Sequence, residues 1–143
     1  MKVRSLQDHD VKELIPFMEQ LGYPTNLEDL QVRLSAIQAS SDYHTLIAEI
    51  DGEVAGMAGL CKSYFYEYDG SYTRIVAFVV HEKFRRKAVG KMLIKEAERW
   101  AKSQGCMAIG LNSGNRDERL AAHLFYQKMG YQPKSTGFIK EIR

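Results

Sequence analysis

"TRIVAFVVHEKFRRKAVGKML", residues 73–93, decides how this chain folds. Its first half, 73–80, is a nearly continuous apolar run, the pattern of a strand buried on both faces. Its second half opens a helix whose apolar positions recur at helical spacing: Val89, Leu93, Ala97 and Trp100, with Met92 and Ala101 beside them. The turn between them carries an unusual charge. First-turn amides of a helix lack partners and carry partial positive charge, so Ser, Thr, Asp or Asn is favoured at that end. Here the approach is Lys83, Phe84, Arg85, Arg86 and Lys87. Exposed cations at that end cost about 0.3 to 1 kcal/mol each unless an anion sits among them. A phosphate would satisfy both the amides and the side chains.

Working outward, "KVRSL" alternates like a short strand, and "DHDVKELIPFMEQLG" follows with Val11, Leu14, Ile15, Met18 and Leu21 on one helical face. Asp10 and Glu13 have the spacing of a capping pair, and Pro16 predicts a kink or irregular turn. Thr25 and Glu28 start a second helix that runs to about Gln38. "HTLIAEIDGEVAGMAGLCK" reads as two antiparallel strands joined at Asp51-Gly52, a strong hairpin signal. A tyrosine-rich segment, "SYFYEYDGSY", leads into the apolar run. After the long helix, which Gly105 stops, "CMAIGL" reads as a buried strand and "ERLAAHLFYQKMG" as a shorter helix closed by Gly130. "GFIKEI" is the expected final strand. The order is strand, two helices, three strands, helix, strand, helix, strand, with no repeat or linker. The fold class is therefore α/β, a mixed and mostly antiparallel sheet flanked by about four helices, in a single domain over residues 1–143.

Composition narrows the function. Lys plus Arg number 20 and Asp plus Glu 18, so a net charge of +2 does not suggest bulk attraction to nucleic acid or membrane. No apolar run approaches the roughly 18 to 20 residues that span a bilayer, and no signal peptide is evident, which predicts a cytoplasmic protein. Cys61 and Cys106 lie far apart without metal-ligand spacing; they read as buried thiols, and no metal is expected.

Two phosphate-binding fingerprints fail on the residues present. A P-loop needs an earlier glycine and a hydroxyl after its lysine, and a dinucleotide fingerprint needs three glycines where only Gly90 stands. The turn Arg85-Arg86-Lys87-Ala88-Val89-Gly90 after Val80 instead resembles that of the GNAT superfamily of N-acetyltransferases. "AAHLFYQKMGY", residues 121–131, is similar to that family's late segment, through Ala122, Phe125, Tyr126, Gly130 and Tyr131. The resemblance covers essentially the whole chain. Two positions depart from it: Ala88 stands where glycine is usual, and Arg119 where an asparagine is frequent. A methyl group at Ala88 is acceptable only if that residue keeps a negative φ.

The resemblance implies a GNAT acyl-CoA N-acyltransferase fold that moves an acetyl group from acetyl-CoA to an amine, and a possible homodimer. Arg85, Arg86, Lys87, Ala88, Val89, Gly90 and Lys91 would cradle the pyrophosphate of acetyl-CoA. Phe78 and Val79 would line the pantetheine arm, and the Val80 amide would face the thioester carbonyl. Tyr126 would contact the cofactor and act as general acid for the CoA thiolate. Alkylamines are almost fully protonated at neutral pH, so a base is also needed. Many relatives carry an acidic residue in the strand ending at Val80, but Ala77 stands there, which leaves Glu67 and Asp69 as candidate bases. His81 and His123 read as structural.

Tyr23, Tyr64, Phe65, Tyr66 and Tyr68, with the two carboxylates, would suit a cationic amine acceptor. Two rival readings stand beside this one. The domain would bind acyl-CoA as a sensor without catalysis, or the basic residues Lys83, Arg85, Arg86, Lys87 and Lys91 would form a small nucleic-acid-binding stripe, which a near-neutral chain fits poorly.

Overall fold

The computed structural model describes residues 1–113 and 120–142. Arg119 and the first residues of "ERLAAHLFYQKMG" lie outside the described residues. Five strands form one sheet in chain order: β1 (Lys2–Ser5), β2 (Tyr43–Ile50), β3 (Glu53–Tyr64), β4 (Ser71–Val80) and β5 (Ala108–Leu111). Neighbours are antiparallel except β4 and β5, which are parallel. The β2–β3 hairpin turns at Asp51 and Gly52, whose φ values of 49° and 80° are the paired left-handed conformations that match strand twist.

Helices cover both faces. On one face lie α3 (Val89–Ser103) and α4 (Leu120–Lys128), around a core that includes Leu46, Ala58, Leu60, Ile75, Leu93, Ile94, Ala97 and Tyr126. On the other lie a 3₁₀ helix (Asp8–Leu14), α1 (Ile15–Leu21) and α2 (Leu27–Gln38), around Leu14, Phe17, Leu30, Leu34, Ile47 and Met57. The periodicity of α3 is realised: Val89, Leu93, Ile94, Ala97 and Ala101 are its buried residues. Its close seating depends on Gly56 of β3, where a Cβ would stand 3.0 Å from both Leu93 Cδ1 and Val89 Cγ1. No helix among the described residues is long and apolar enough to cross a membrane.

Several sequence expectations change. The N-cap of the first helical stretch is Gln7, and Asp10 closes the capping box from the N3 position, accepting from Gln7 N at 2.8 Å. Asp10 is buried and pairs with Arg4 of β1, a partner that no local spacing reveals. Pro16 sits in the first turn of α1, where a missing amide costs nothing, and the expected irregularity is the 3₁₀ helix before it. The cap of α2 is Asn26, whose Oδ1 accepts from Asp29 N at 2.9 Å, one residue after the expected Thr25. Strand β4 is not buried on both faces, since Arg74 and Val76 are exposed. Residues 131–142, including the expected strand "GFIKEI", form no helix or strand.

Candidate active site

The decisive feature is where β4 and β5 part. They pair only over Tyr72–Ile75 and Ala108–Leu111. In the β3 register Ile75 faces Leu60 and Ala77 faces Gly59, so Val76 is an extra, bulged residue. The bulge re-aims the strand, and residues 76–80 run on with no partner strand on the β5 side among the described residues.

Backbone alternation sets the direction of the amides on this free edge. His81 N donates to Ala55 O of β3 at 2.8 Å. Alternation therefore turns the Val79 backbone toward β3 as well, and turns those of Phe78 and Val80 toward the open side. The Val80 carbonyl accepts a hydrogen bond from Gln20 Nε2 of α1 at 2.8 Å, and Glu82 N donates to Gln20 Oε1 at 3.3 Å. One amide side chain thus clamps the end of β4 and leaves the Val80 N–H facing the gap. Sequence reading missed Gln20, because nothing in a polar helix position announces a contact 60 residues away.

The side chains divide between the faces. Phe78 and Val80 pack with the α3 and α4 cluster, while Val79 is buried in the opposite one. Of the predicted pantetheine-lining pair, Phe78 faces the gap's helical side and Val79 does not. Tyr126 is buried on that helical side, with its ring 6.1 Å from Phe78, 5.5 Å from Phe125 and 6.4 Å from Tyr131. Gly90 lets this group close over the helix start: a Cβ there would lie 3.3 Å from Phe125 Cζ and 3.6 Å from Phe78 Cζ. The Tyr131 hydroxyl donates to Glu98 of α3 at 3.1 Å, tying the end of α4 to α3. Burial first, then the Glu98 charge, raises the Tyr131 pKa well above the usual phenol range.

Beyond β4 the chain makes a short 3₁₀ turn (Glu82–Phe84), capped by His81 Nδ1 accepting from Lys83 N at 3.1 Å. Phe17 and Phe84 contact the His81 ring, which fits its structural reading. Arg85, Arg86, Lys87, Ala88 and Lys91 are exposed. Lys83 pairs with Glu53 at 3.2 Å, whereas the other four cations make no ion pair among the described residues. No side chain caps α3, and the first bond of its ladder runs from Met92 N to Ala88 O. The amides of Val89, Gly90 and Lys91 therefore have no intrahelical acceptor. These groups fit a phosphate-bearing ligand.

The turn carries backbone strain. Arg86 and Ala88 have φ values of 66° and 62°, in the left-handed region where a side chain costs about 1 kcal/mol or more. Ala88 thus holds the conformation glycine ordinarily serves. We expect Ala88→Gly to stabilise the fold by about 1 kcal/mol, read from urea unfolding; a loss of stability would contradict the strain.

Glu67 and Asp69 are exposed on the β3–β4 loop, at the opposite end of β4 from the phosphate turn. At about 3.4 Å per strand residue, Val76 lies roughly 17 Å beyond Ser71. The Glu67 carboxylate accepts from Tyr66 N at 3.1 Å. In the same loop Phe65 stacks obliquely with Tyr68 and Tyr72, at 4.5 and 4.7 Å, while Tyr66 is fully exposed. Tyr23 is exposed in the α1–α2 loop. Among the described residues no three His, Cys, Asp or Glu side chains gather as a metal site.

The structure thus combines a mixed sheet with a bulged, parting β4, an uncapped basic helix start and a buried Tyr126 packed near Phe78. The profile of the Acetyltransferase (GNAT) family matches residues 9–131, and the chain belongs to that family, whose members are acyltransferases. Its fold is similar to that of a GNAT family acetyltransferase from Staphylococcus aureus, with a TM-score of 0.85, 37% identity, and 99% and 98% of the two chains covered. An uncharacterized N-acetyltransferase, YhdJ, of Bacillus subtilis is 28% identical over 91% of this chain and 90% of its own. A probable glucosamine 6-phosphate N-acetyltransferase of Drosophila melanogaster is also 28% identical, over 92% of this chain, which spans 60% of that relative's length.

Proposed function

We propose that residues 1–143 are a single catalytic domain that transfers an acetyl group from acetyl-CoA to a primary amine, by direct attack within a ternary complex. The observation that carries this reading is the free amide edge of Phe78–Val80, running straight into the uncapped basic turn, with Tyr126 packed against Phe78.

Each part of that edge has a task. Arg85, Arg86, Lys87 and Lys91, with the amides of Val89 and Gly90 after Ala88, hold the pyrophosphate. The Phe78 and Val80 backbones address the pantetheine arm as an added strand would, and the Val80 amide donates to the carbonyl oxygen where negative charge develops. Val79 supports this only by anchoring β4 to β3. Acetyl-CoA, when bound, supplies an activated thioester. Tyr126 gives its hydroxyl proton to the departing sulfur.

Helices cover both faces of the sheet, so the amine approaches along the open edge of β4, past the exposed Val76. Tyr23 and the Phe65–Tyr68 loop flank that approach, and Glu67 and Asp69 draw a protonated amine toward it. At their distance the proton leaves through water rather than by direct abstraction, which needs contact near 3 Å. The Drosophila relative's name makes an amino-sugar amine, as in glucosamine 6-phosphate, the first acceptor to assay.

Thermal unfolding tests the cofactor. At a hundredfold excess over Kd, acetyl-CoA and CoA should each add about 2.7 kcal/mol, a rise of about 5 to 10 °C, while ATP should add little. Thiol release on adding amines then tests transfer. Retained acetyl-CoA binding with no turnover on any amine would leave the sensor reading; no shift with either CoA species would remove the proposal.

Gln20→Leu tests the free edge separately. It releases the Val80 carbonyl and the Glu82 amide, at about 1 kcal/mol for each lost hydrogen bond. We expect the KM for acetyl-CoA to rise about tenfold. An unchanged KM would show that the clamp does not set the edge.

A further inference from the structure

On the face that carries α1 and α2, the helical cover ends partway along the sheet. Ile47 of β2, Met57 of β3 and Val79 of β4 stand side by side in register beneath those helices, and all three are buried. Paired residues of neighbouring strands share a face, and so do alternate residues along each strand. Nearer the β3–β4 loop the register therefore aligns Tyr43 of β2, Cys61 of β3, Arg74 of β4 and Gly110 of β5 on that same face. Tyr43 and Arg74 are exposed, Cys61 and Gly110 are half-buried, and a Cβ on Gly110 would meet nothing within 4 Å. Gly59 lies between the two rows, and a Cβ there would stand 3.6 Å from Val76 Cγ2, so the bulged Val76 points to this face as well. A floor open to solvent thus leads from Arg74 past Val76 to the gap.

Arg74 brings the charge to this floor. The residues of the next row, Ser63, Tyr72 and Ala108, are uncharged, as are Tyr43 and Gly110. Among the described residues Arg74 makes no ion pair. Beside it Gly110 contributes no side chain, which leaves room for a planar anion against the guanidinium. Along β4, Arg74 also stands between the gap and the carboxylates of Glu67 and Asp69. A purely cationic amine drawn toward that loop meets Arg74 before it reaches the gap and is repelled. An amine that also carries an anion is held at Arg74 by that anion, and its other end is free to reach the gap.

We propose that Arg74 selects the acceptor, and that the acceptor is an acidic amine: a molecule with a primary amine at one end and a carboxylate or phosphate at the other. The inference deepens the acetyltransferase reading and rests on it for where the amine must arrive. The guanidinium takes two oxygens of the anion through parallel N–H donors, a geometry that fixes the acceptor's direction as well as its position. The lengths agree. Six strand residues separate Arg74 from the Val80 amide, roughly 20 Å. An extended acceptor of about three residues' length spans about 10 Å, and the arginine side chain reaches across much of the rest. Polyamines and other acceptors that carry positive charge alone are disfavoured by the same residue.

Matched acceptors test it by thiol release: triglycine beside its C-terminal amide, and glucosamine 6-phosphate beside glucosamine. The acidic member of a pair should have a kcat/KM about tenfold higher, and the pair that shows it tells carboxylate from phosphate. Arg74→Gln should bring the two members within about twofold of each other, and Arg74→Glu should favour the neutral one. Neither change should move the KM for acetyl-CoA or the unfolding temperature, because Arg74 is exposed and lies outside the phosphate turn. Titration calorimetry of the same four compounds onto the CoA-bound protein reads binding without turnover, with CoA already filling the basic turn. Tighter binding of an acidic member, lost in Arg74→Gln, supports the inference even if no amine is acetylated, and that outcome would count against acetyl transfer alone. Equal use of acidic and neutral members, or a preference that survives Arg74→Gln, would overturn the inference and leave acetyl transfer standing. Neither binding nor turnover of any of the four would overturn it as well.

Discussion

Replacing Tyr126 by Phe should lower kcat about a hundredfold while leaving acetyl-CoA binding nearly unchanged. The ring is buried among Phe78, Phe125 and Tyr131 at centroid distances of 5.5 to 6.4 Å, and Phe preserves that packing. Only the oxygen is lost, so the change isolates the proton donor from the wall it belongs to. General acid catalysis is worth about 10² to 10⁴ in rate. The lower end applies because a thiolate, with a reference pKa of about 8.5, is already a fair leaving group. Steady-state kinetics with saturating amine, beside the thermal shift with acetyl-CoA, separates the two effects. A kcat within threefold of the parent would remove Tyr126 as the acid, and a lost thermal shift would recast it as a cofactor-packing residue.

What could be read from residues alone, and what could not, divides by the range of the interactions. The α3 helix, the Asp51-Gly52 hairpin and the helix stop at Gly130 are local patterns, and they form where periodicity and turn chemistry put them. The basic turn was legible for the same reason: its oddity lies in five consecutive residues. The bulge at Val76 was not legible, because it exists only in the register between β4 and Gly59–Leu60 of β3. Nothing in "TRIVAFVV" marks one residue as extra, yet that residue lies where β4 parts from β5. Both caps moved for a related reason. Asp10 caps from the N3 rather than the N-cap position while also pairing with Arg4 of β1, and Asn26 outcompetes Thr25 by one position. The segment 137–142 has strand propensity without a strand, since propensity supplies no hydrogen-bonding partner.

Removing the carboxylate of Asp10 should be strongly destabilising. Asp10 is 1% exposed and accepts from Arg4 at 2.7 and 2.9 Å, in a two-pronged pair, and from Gln7 N at 2.8 Å. Asp10→Ala leaves the Arg4 guanidinium, itself largely covered, with Glu49 at 3.2 Å as its remaining carboxylate. Breaking a buried pair from one side costs about 3 to 5 kcal/mol, and the Glu49 contact argues for the lower figure, about 3 kcal/mol. That is a large share of the roughly 5 to 15 kcal/mol that holds a domain of ordinary size. Asp10→Asn keeps an acceptor for Gln7 N and should lose less. The pH dependence has a definite sign. The hydrogen bonds from Arg4, then the Gln7 amide and the Arg4 charge, hold the Asp10 pKa below the ordinary carboxylate value. Its contribution is therefore present above about pH 3.9 and lost as pH falls through the lowered folded value. Urea unfolding of the parent should weaken in that acid window, and Asp10→Ala should flatten the dependence. Because the pair joins β1 to the 3₁₀ helix that leads into α1, the same variant should loosen Gln20 and raise the KM for acetyl-CoA. A destabilised variant with an unchanged KM would place the pair in stability alone, and a variant as stable as the parent would mean that Arg4 and Glu49 suffice without it.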